Sequence, residues 1–219
     1  MSFRIDRRYC GPPSSANGGV TCGLLAETVA GSTVTVTLRR PPPLDVVLRV
    51  DAGNLYDGDR LVATAVAGSV RLAPHAPVPV EAARAAAASF GGLAAHPFPG
   101  CFVCGTARAD GLGLRPGPVA PGVVAAVWRP ESGEPFLLWA ALDCPGGWAS
   151  DAPGRPLVLG RMTLQRIADP VPGADHVAVG WTVATEGRKT FSGTALYDAQ
   201  GKVLAVAEQT WFAVDPEAF

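Results

Sequence analysis

A single carboxylate, Asp143, interrupts the apolar stretch LLWAALDCPGGWAS between Leu137 and Ser150. A stretch of this composition is buried on folding, and a carboxylate carried into a core must be paired, hydrogen-bonded or protonated. Desolvation raises its pKa, which makes it a better base while it stays ionised. The blander role is to cap the Cys-Pro-Gly-Gly turn expected just after it. Asn17-Gly18-Gly19 is a second candidate, because Asn caps helices and the unpaired amides of a first turn attract developing negative charge. An ordinary cap and turn would leave the same sequence. Cys101 and Cys104 have metal-ligand spacing, with His96 and Cys144 available to complete four zinc ligands. One such pair is a weak signal, and the expectation is a tight turn before Gly105 with two half-buried thiols and no metal. Cys144 has no histidine near it in sequence to activate it as a nucleophile. His75, His96 and His176 each border a proline or a charged turn and are expected at the surface.

Two helices must position the first two candidates. Residues 16–31 carry Val20, Leu24 and Leu25 at helical spacing after Asn17, and Gly31 is the expected stop. The second helix begins near Phe136 and contains Asp143. Strands follow each helix. Ser32–Arg40 alternates Val and Thr, LDVVLRV and RLVATAVAG succeed it, and Asp57-Gly58 marks a hairpin. Pro74–Pro79 reads as a linker to an Ala-rich helix, VEAARAAAASFGG, closed by Gly91-Gly92. Then come VVAAVWRP before the second helix and four strand-like runs after it: PLVLGRMTLQRI, DHVAVGWTVATEG, KTFSGTALYD and KVLAVAEQTWFAV, the last two joined at Ala199-Gln200-Gly201. The order, helix then antiparallel strands, occurs twice, which makes the chain α+β.

The bulk composition narrows the partners. At 219 residues and 48% hydrophobic content a substantial core can form. A net charge of −1 with both signs dispersed gives no footprint for nucleic acid or an anionic membrane surface. There is no apolar run of the roughly 18 residues a membrane span needs, and MSFRIDRRYC lacks the core of a signal peptide. A cytoplasmic protein with no membrane span is expected, its five cysteines reduced. Small-molecule chemistry or protein binding remains.

Three stretches carry a family resemblance. CFVCGTARADGLGL (101–114) is similar to a lead-in found in thioesterase-like hotdog proteins. EPFLLWAALDCPGGWA (134–149) resembles the central helix of phenylacetate-pathway-type thioesterases. KVLAVAEQTWF resembles the last strand of double-hotdog acyl-CoA thioesterases, whose site pairs an Asp, a Ser or Thr, and a Gln. The resemblance implies a double hotdog, two units each with a central helix wrapped by an antiparallel sheet. Residues 1–73 would form the first unit, 74–94 a linker and 95–219 the second. It also implies an acyl-CoA thioesterase, acting on a fatty or aromatic acyl thioester, with Asp143 as base and Thr163 and Gln209 holding the water. Asn17, Gly18 and Gly19 would supply the oxyanion donors. Taken singly, Thr163 and Gln209 are more often structural residues.

The second unit has Pro135-Phe136 where the family's Gly-Gly would stand, and the first has Ala26 at the acid position, with Glu27 about 100° round the helix. One half keeps the turn and the other the acid, so a single composite site per chain is implied. Coenzyme A is then a substrate and no resident cofactor is expected. Arg129, Arg161, Arg188 and Lys189 are available for its phosphates, and chains of this type can pair again as homodimers. A non-catalytic protein that binds acyl thioesters or lipid is the alternative, and a hydratase ranks low because neither helix contains a histidine.

Overall fold

The computed structural model describes residues 1–150 and 154–218. The first half contains β1 (Ser2–Arg4), α1 (Gly18–Ala26), β2 (Thr33–Leu38), β3 (Val47–Asp51), β4 (Asn54–Asp57) and β5 (Arg60–Ala67). After a short helix, α2 (Val80–Ala86), the second half contains β6 (Gly117–Ala120), β7 (Val123–Trp128), α3 (Pro135–Trp148), β8 (Leu157–Arg166), β9 (His176–Glu186), β10 (Lys189–Asp198) and β11 (Val203–Ala213).

All eleven strands join one antiparallel sheet in the order β1-β3-β4-β5-β2-β8-β11-β10-β9-β7-β6. The first-half strands lie on one side and the second-half strands on the other. They meet where β2 pairs with β8, Thr35 opposite Thr163. The alternation of β2 is realised directly, since Val34 and Val36 are buried while the threonines face out. Gly58, at φ +57°, makes the expected hairpin between β4 and β5, and Gly201, at φ +81°, turns β10 into β11.

Both central helices pack on the same sheet and on each other. α1 touches β2, β5 and β8, and α3 lies across β9 and β10. Close packing fixes two glycines of α1. A Cβ on Gly19 would meet Asp143 Cβ at 2.6 Å, and one on Gly23 would meet Phe136 Cα at 2.6 Å. Four residues apart, they form a smooth stripe that lets the helices cross in near-backbone contact. α2 covers the other face of the second half, where Ala83 packs with Val177, Val179 and Tyr197.

Several local expectations are corrected. α1 ends at Ala26 with Glu27 as cap, well before Gly31. Thr28 Oγ1 donates to Leu25 O at 2.7 Å, offering the local side-chain partner that ends helices. The Ala-rich segment is helical only over Val80–Ala86 and continues as 3₁₀ turns. β6 has no counterpart in the sequence reading. Cys-Pro-Gly-Gly is not a turn at all: α3 runs through Pro145, Gly146 and Gly147 to Trp148. Asp143 therefore has no turn of its own to cap. His176 is 1% exposed, with Nε2 accepting from Val171 N, so it is a buried structural residue. His75 and His96 are half-buried.

Candidate functional site

α1 presents its first turn to the middle of α3, and the sequence makes that meeting polar. Asn17 caps α1 by accepting from Val20 N at 3.0 Å through Oδ1. Its Nδ2 donates to Asp143 Oδ2 at 2.9 Å, and Gly19 N donates to the same oxygen at 3.0 Å. The carboxylate thus sits at the positive end of α1, held by two donors. Its other oxygen, Oδ1, is buried without a partner among the described residues. Burial pushes the carboxyl up to about 7, the Gly19 amide lowers it, the Cys101 thiol raises it and the Asn17 amide lowers it.

Asp143 opens on a cleft of about 410 Å³ between the halves. Leu159, Trp148, Trp211 and Phe212 supply apolar wall, and Arg39, Arg40 and Arg188 line it as well. All three arginines are exposed, so their charges face water at the rim. The interior suits an apolar group and the rim suits an anion.

The structure sorts the sequence candidates. Asp143, Asn17 and Gly19 are brought into direct contact, and Gly18 lines the cleft. Their donors are distributed differently from the expectation. Gly19 N–H is spent on Asp143 and Val20 N–H on Asn17, which leaves Gly18 N–H, without a partner among the described residues, as the first-turn amide available to a ligand. Thr163 is not brought to the carboxylate: its hydroxyl pairs with Thr35 Oγ1 at 2.8 Å and it does not line the cleft. Gln209 lies behind α3, 3% exposed, donating to Leu142 O at 2.7 Å and Asp143 O at 3.2 Å. Its Oε1 accepts from Ser192 Oγ at 3.0 Å and Trp211 Nε1 at 3.2 Å. These bonds brace helix carbonyls next to Pro145, where the missing N–H and the ring disturb the ladder. Neither side chain makes a hydrogen bond to the Asp143 carboxylate.

Of the four cations expected to meet phosphate, only Arg188 lines the cleft. Arg129 pairs with Asp175 at 2.9 Å and Arg161 donates to Thr37 at 3.0 Å. Arg39 and Arg40 went unnoticed in the sequence, although a basic pair just before Pro41-Pro42-Pro43 ends a strand at a fixed place. Cys101, Cys104 and Cys144 also line the cleft, all three buried.

A second cavity of about 360 Å³ lies between the halves, lined by Ala26, Glu27, Pro135 and Trp139. Its wall takes the end of α1, with Ala26 and Glu27, and the start of α3, with Pro135 and Trp139.

No protein-family model and no curated protein matches this chain. Solved structures do. A protein with the hotdog fold from Alicyclobacillus acidocaldarius aligns over 98% of this chain and 93% of its own, with TM-score 0.67 and 13% identity. A candidate thioesterase from Novosphingobium aromaticivorans aligns over 98% and 95%, with TM-score 0.66 and 16% identity. A candidate thioesterase II from Thermobifida fusca aligns over 98% and 92%, with TM-score 0.66 and 14% identity. At such identities the likeness is one of fold, and the chain has the hotdog fold. Among the described residues no helix is long and apolar enough to cross a membrane.

Proposed function

We propose that the chain is a double-hotdog thioesterase that hydrolyses an acyl-CoA, with one composite site at the junction of its two units. The observation that carries this reading is the half-satisfied Asp143 carboxylate: Oδ2 is held by Asn17 and Gly19, and Oδ1 is buried without a partner beside an apolar cleft. A buried acceptor left open is costly, and a substrate water is a natural occupant.

In the mechanism the acyl chain enters the cleft and its thioester carbonyl takes the Gly18 N–H at the start of α1. The partial positive end of the helix stabilises the oxyanion as it forms. Asp143 Oδ1 accepts a proton from the attacking water, whose oxygen bonds to the carbonyl carbon. Collapse of the tetrahedral adduct breaks the C–S bond; the leaving thiolate takes the proton held by Asp143 and departs as the coenzyme A thiol, leaving the free acid and the restored carboxylate. Asn17 and Gly19 keep the carboxylate in place throughout. Arg39, Arg40 and Arg188 meet the phosphates at the rim. In the second cavity Ala26 stands at the acid position and Glu27, about 100° round the helix from it, takes no part, so turnover is expected at one site per chain.

The test is release of free coenzyme A from short, long and aromatic acyl-CoAs by the wild type and by Asp143→Asn. General acid–base catalysis is worth about 10²–10⁴-fold, and a loss of that size is expected. An Asp143→Asn protein that turns over at the wild-type rate removes Asp143 as base. Acyl-CoA binding with no turnover on any substrate establishes a binding protein instead.

A further inference from the structure

The thiols of Cys101, Cys104 and Cys144 converge, with all three sulfurs within 4.8 Å of one another and Cys101 Sγ 3.8 Å from Cys144 Sγ. We infer that these three cysteines form a zinc site whose fourth coordination position opens on the cleft. This goes beyond the thioesterase reading and does not depend on it.

The spacing fits the ion. Zinc binds thiolate sulfur at about 2.3 Å in a tetrahedron, which sets neighbouring sulfurs about 3.8 Å apart. It does not fit a disulfide, whose sulfurs lie about 2.05 Å apart, and all five cysteines are free. Two separate elements build the set. Cys101 and Cys104 lie on a tight turn closed by Gly105 N donating to Cys101 O at 2.8 Å, and Cys144 projects from α3. The turn is pinned from outside by Phe102 N to Cys10 O at 2.7 Å and Leu114 N to Val103 O at 2.9 Å, so the sulfurs are placed before any metal arrives.

The surroundings are those a thiolate needs. Trp148 Nε1 donates to Cys104 Sγ at 3.4 Å, and Asn17 Nδ2, while bonded to Asp143, also reaches Cys101 Sγ at 3.8 Å. Three buried, soft donors select zinc over calcium or magnesium.

His96 is not the fourth ligand. Its Nε2 faces Cys104 O at 3.2 Å, and its Nδ1 accepts from Phe98 N at 3.0 Å. All three cysteines line the cleft, so the remaining position faces the cleft contents, the arrangement of an open rather than a closed zinc site. Binding replaces the thiol protons by one divalent cation and stabilises only the folded chain, in which the two elements meet.

The full-length protein, purified under reducing conditions and reconstituted with zinc, should hold about one zinc per chain by elemental analysis. Cobalt in its place should give a sulfur-to-metal charge-transfer band in the near ultraviolet together with the intense visible bands of a tetrahedral ion. Cys144→Ala and Cys104→Ser, checked as folded by circular dichroism, should each lower zinc affinity on the order of tenfold or more. Wild-type protein that takes up no zinc after reconstitution and gives no cobalt charge-transfer band overturns the site, as does zinc retained undiminished by Cys144→Ala. A Cys101–Cys144 disulfide in the reduced preparation overturns it also. None of these readings involves turnover, so failure here and failure of the thioesterase are told apart.

Discussion

Asn17 Nδ2 donates to Asp143 Oδ2 at 2.9 Å across 126 positions of chain, while Asn17 Oδ1 accepts from Val20 N at 3.0 Å. One side chain therefore caps α1 and holds the carboxylate of α3, and substitution can separate the two roles. Asn17→Ala removes both and should cost about 1–3 kcal/mol by chemical denaturation, together with a loss of turnover. Asn17→Ser can still cap the helix but is too short to reach Asp143. Its stability should recover in large part while turnover stays low, and a serine variant as active as the wild type would show that the contact does not matter to the chemistry.

The pH dependence follows from the raised Asp143 carboxyl. An unfolded Asp titrates near 4, whereas burial holds this one at about 7 in the folded chain. Its contribution to stability is complete below about pH 4 and is lost as pH rises through about 7, because over that range the folded state keeps a proton that the unfolded state has already lost. For a group this buried the difference is on the order of 2–4 kcal/mol. Asp143→Asn should therefore melt above the wild type at pH 8 and lose that advantage towards pH 5. Turnover by metal-stripped, reduced wild type should rise with pH to a plateau, with its midpoint near 7. A wild type and variant that melt in parallel across this range would show that the carboxyl is not raised.

Gly19 tests the helix crossing. Its missing Cβ is demanded by Asp143 Cβ at 2.6 Å, Trp139 O at 2.7 Å and Ala140 Cα at 2.9 Å. Two of these three belong to the backbone of α3 and cannot move alone. Gly19→Ala should force the helices apart, costing about 1–3 kcal/mol in thermal or chemical denaturation and moving the Gly19 amide off Asp143. An alanine variant of wild-type stability would mean that the crossing is looser than described.

The sequence exposed the parts of the site that break a local rule. Asp143 is a charge in an apolar run, and Asn17 is a cap at the start of a helical pattern, so both could be picked out without a partner in view. The alternation in Ser32–Arg40 placed β2 in the same way. What stayed hidden depends on register between distant strands. Nothing in KVLAVAEQTWF tells whether Gln209 faces the cleft or the back of α3, and nothing in GRMTLQRI shows that Thr163 stands opposite Thr35. Cys-Pro-Gly-Gly reads as a turn by local preference, yet packing on the sheet holds it helical. β6 contains Pro118 and is four residues long, too short and irregular to show a period. The cysteines were visible one pair at a time, and only the fold brought Cys144 to Cys101.

Gln209 should act on stability rather than chemistry. Its amide is used in full on Leu142 O, Asp143 O, Ser192 and Trp211, all behind α3. Gln209→Leu removes all four of those bonds, leaving Trp211 Nε1 only its bond to Ser192 Oγ at 3.1 Å, and should cost about 1–3 kcal/mol. At a temperature where the variant is fully folded, kcat should fall less than about tenfold, far below the loss expected for Asp143→Asn. A collapse of kcat with unchanged stability would return Gln209 to the reacting atoms.

The arginine rim predicts how substrate recognition divides between the two ends of the thioester. Arg39, Arg40 and Arg188 are exposed, and each charge is screened by water, so each is worth only about 0.2–1 kcal/mol to an anion. Arg40→Ala or Arg188→Ala alone should raise KM for acyl-CoA about two- to fivefold, and the pair together more, with kcat unchanged because the reacting carbonyl lies inside. The effect should shrink in high salt as the charges are screened further. It should vanish for acyl-pantetheine, which keeps the thioester but lacks the nucleotide phosphates. An equal KM increase for both substrates would place the arginines on the acyl side of the cleft, and no change for either would leave the phosphates to other residues.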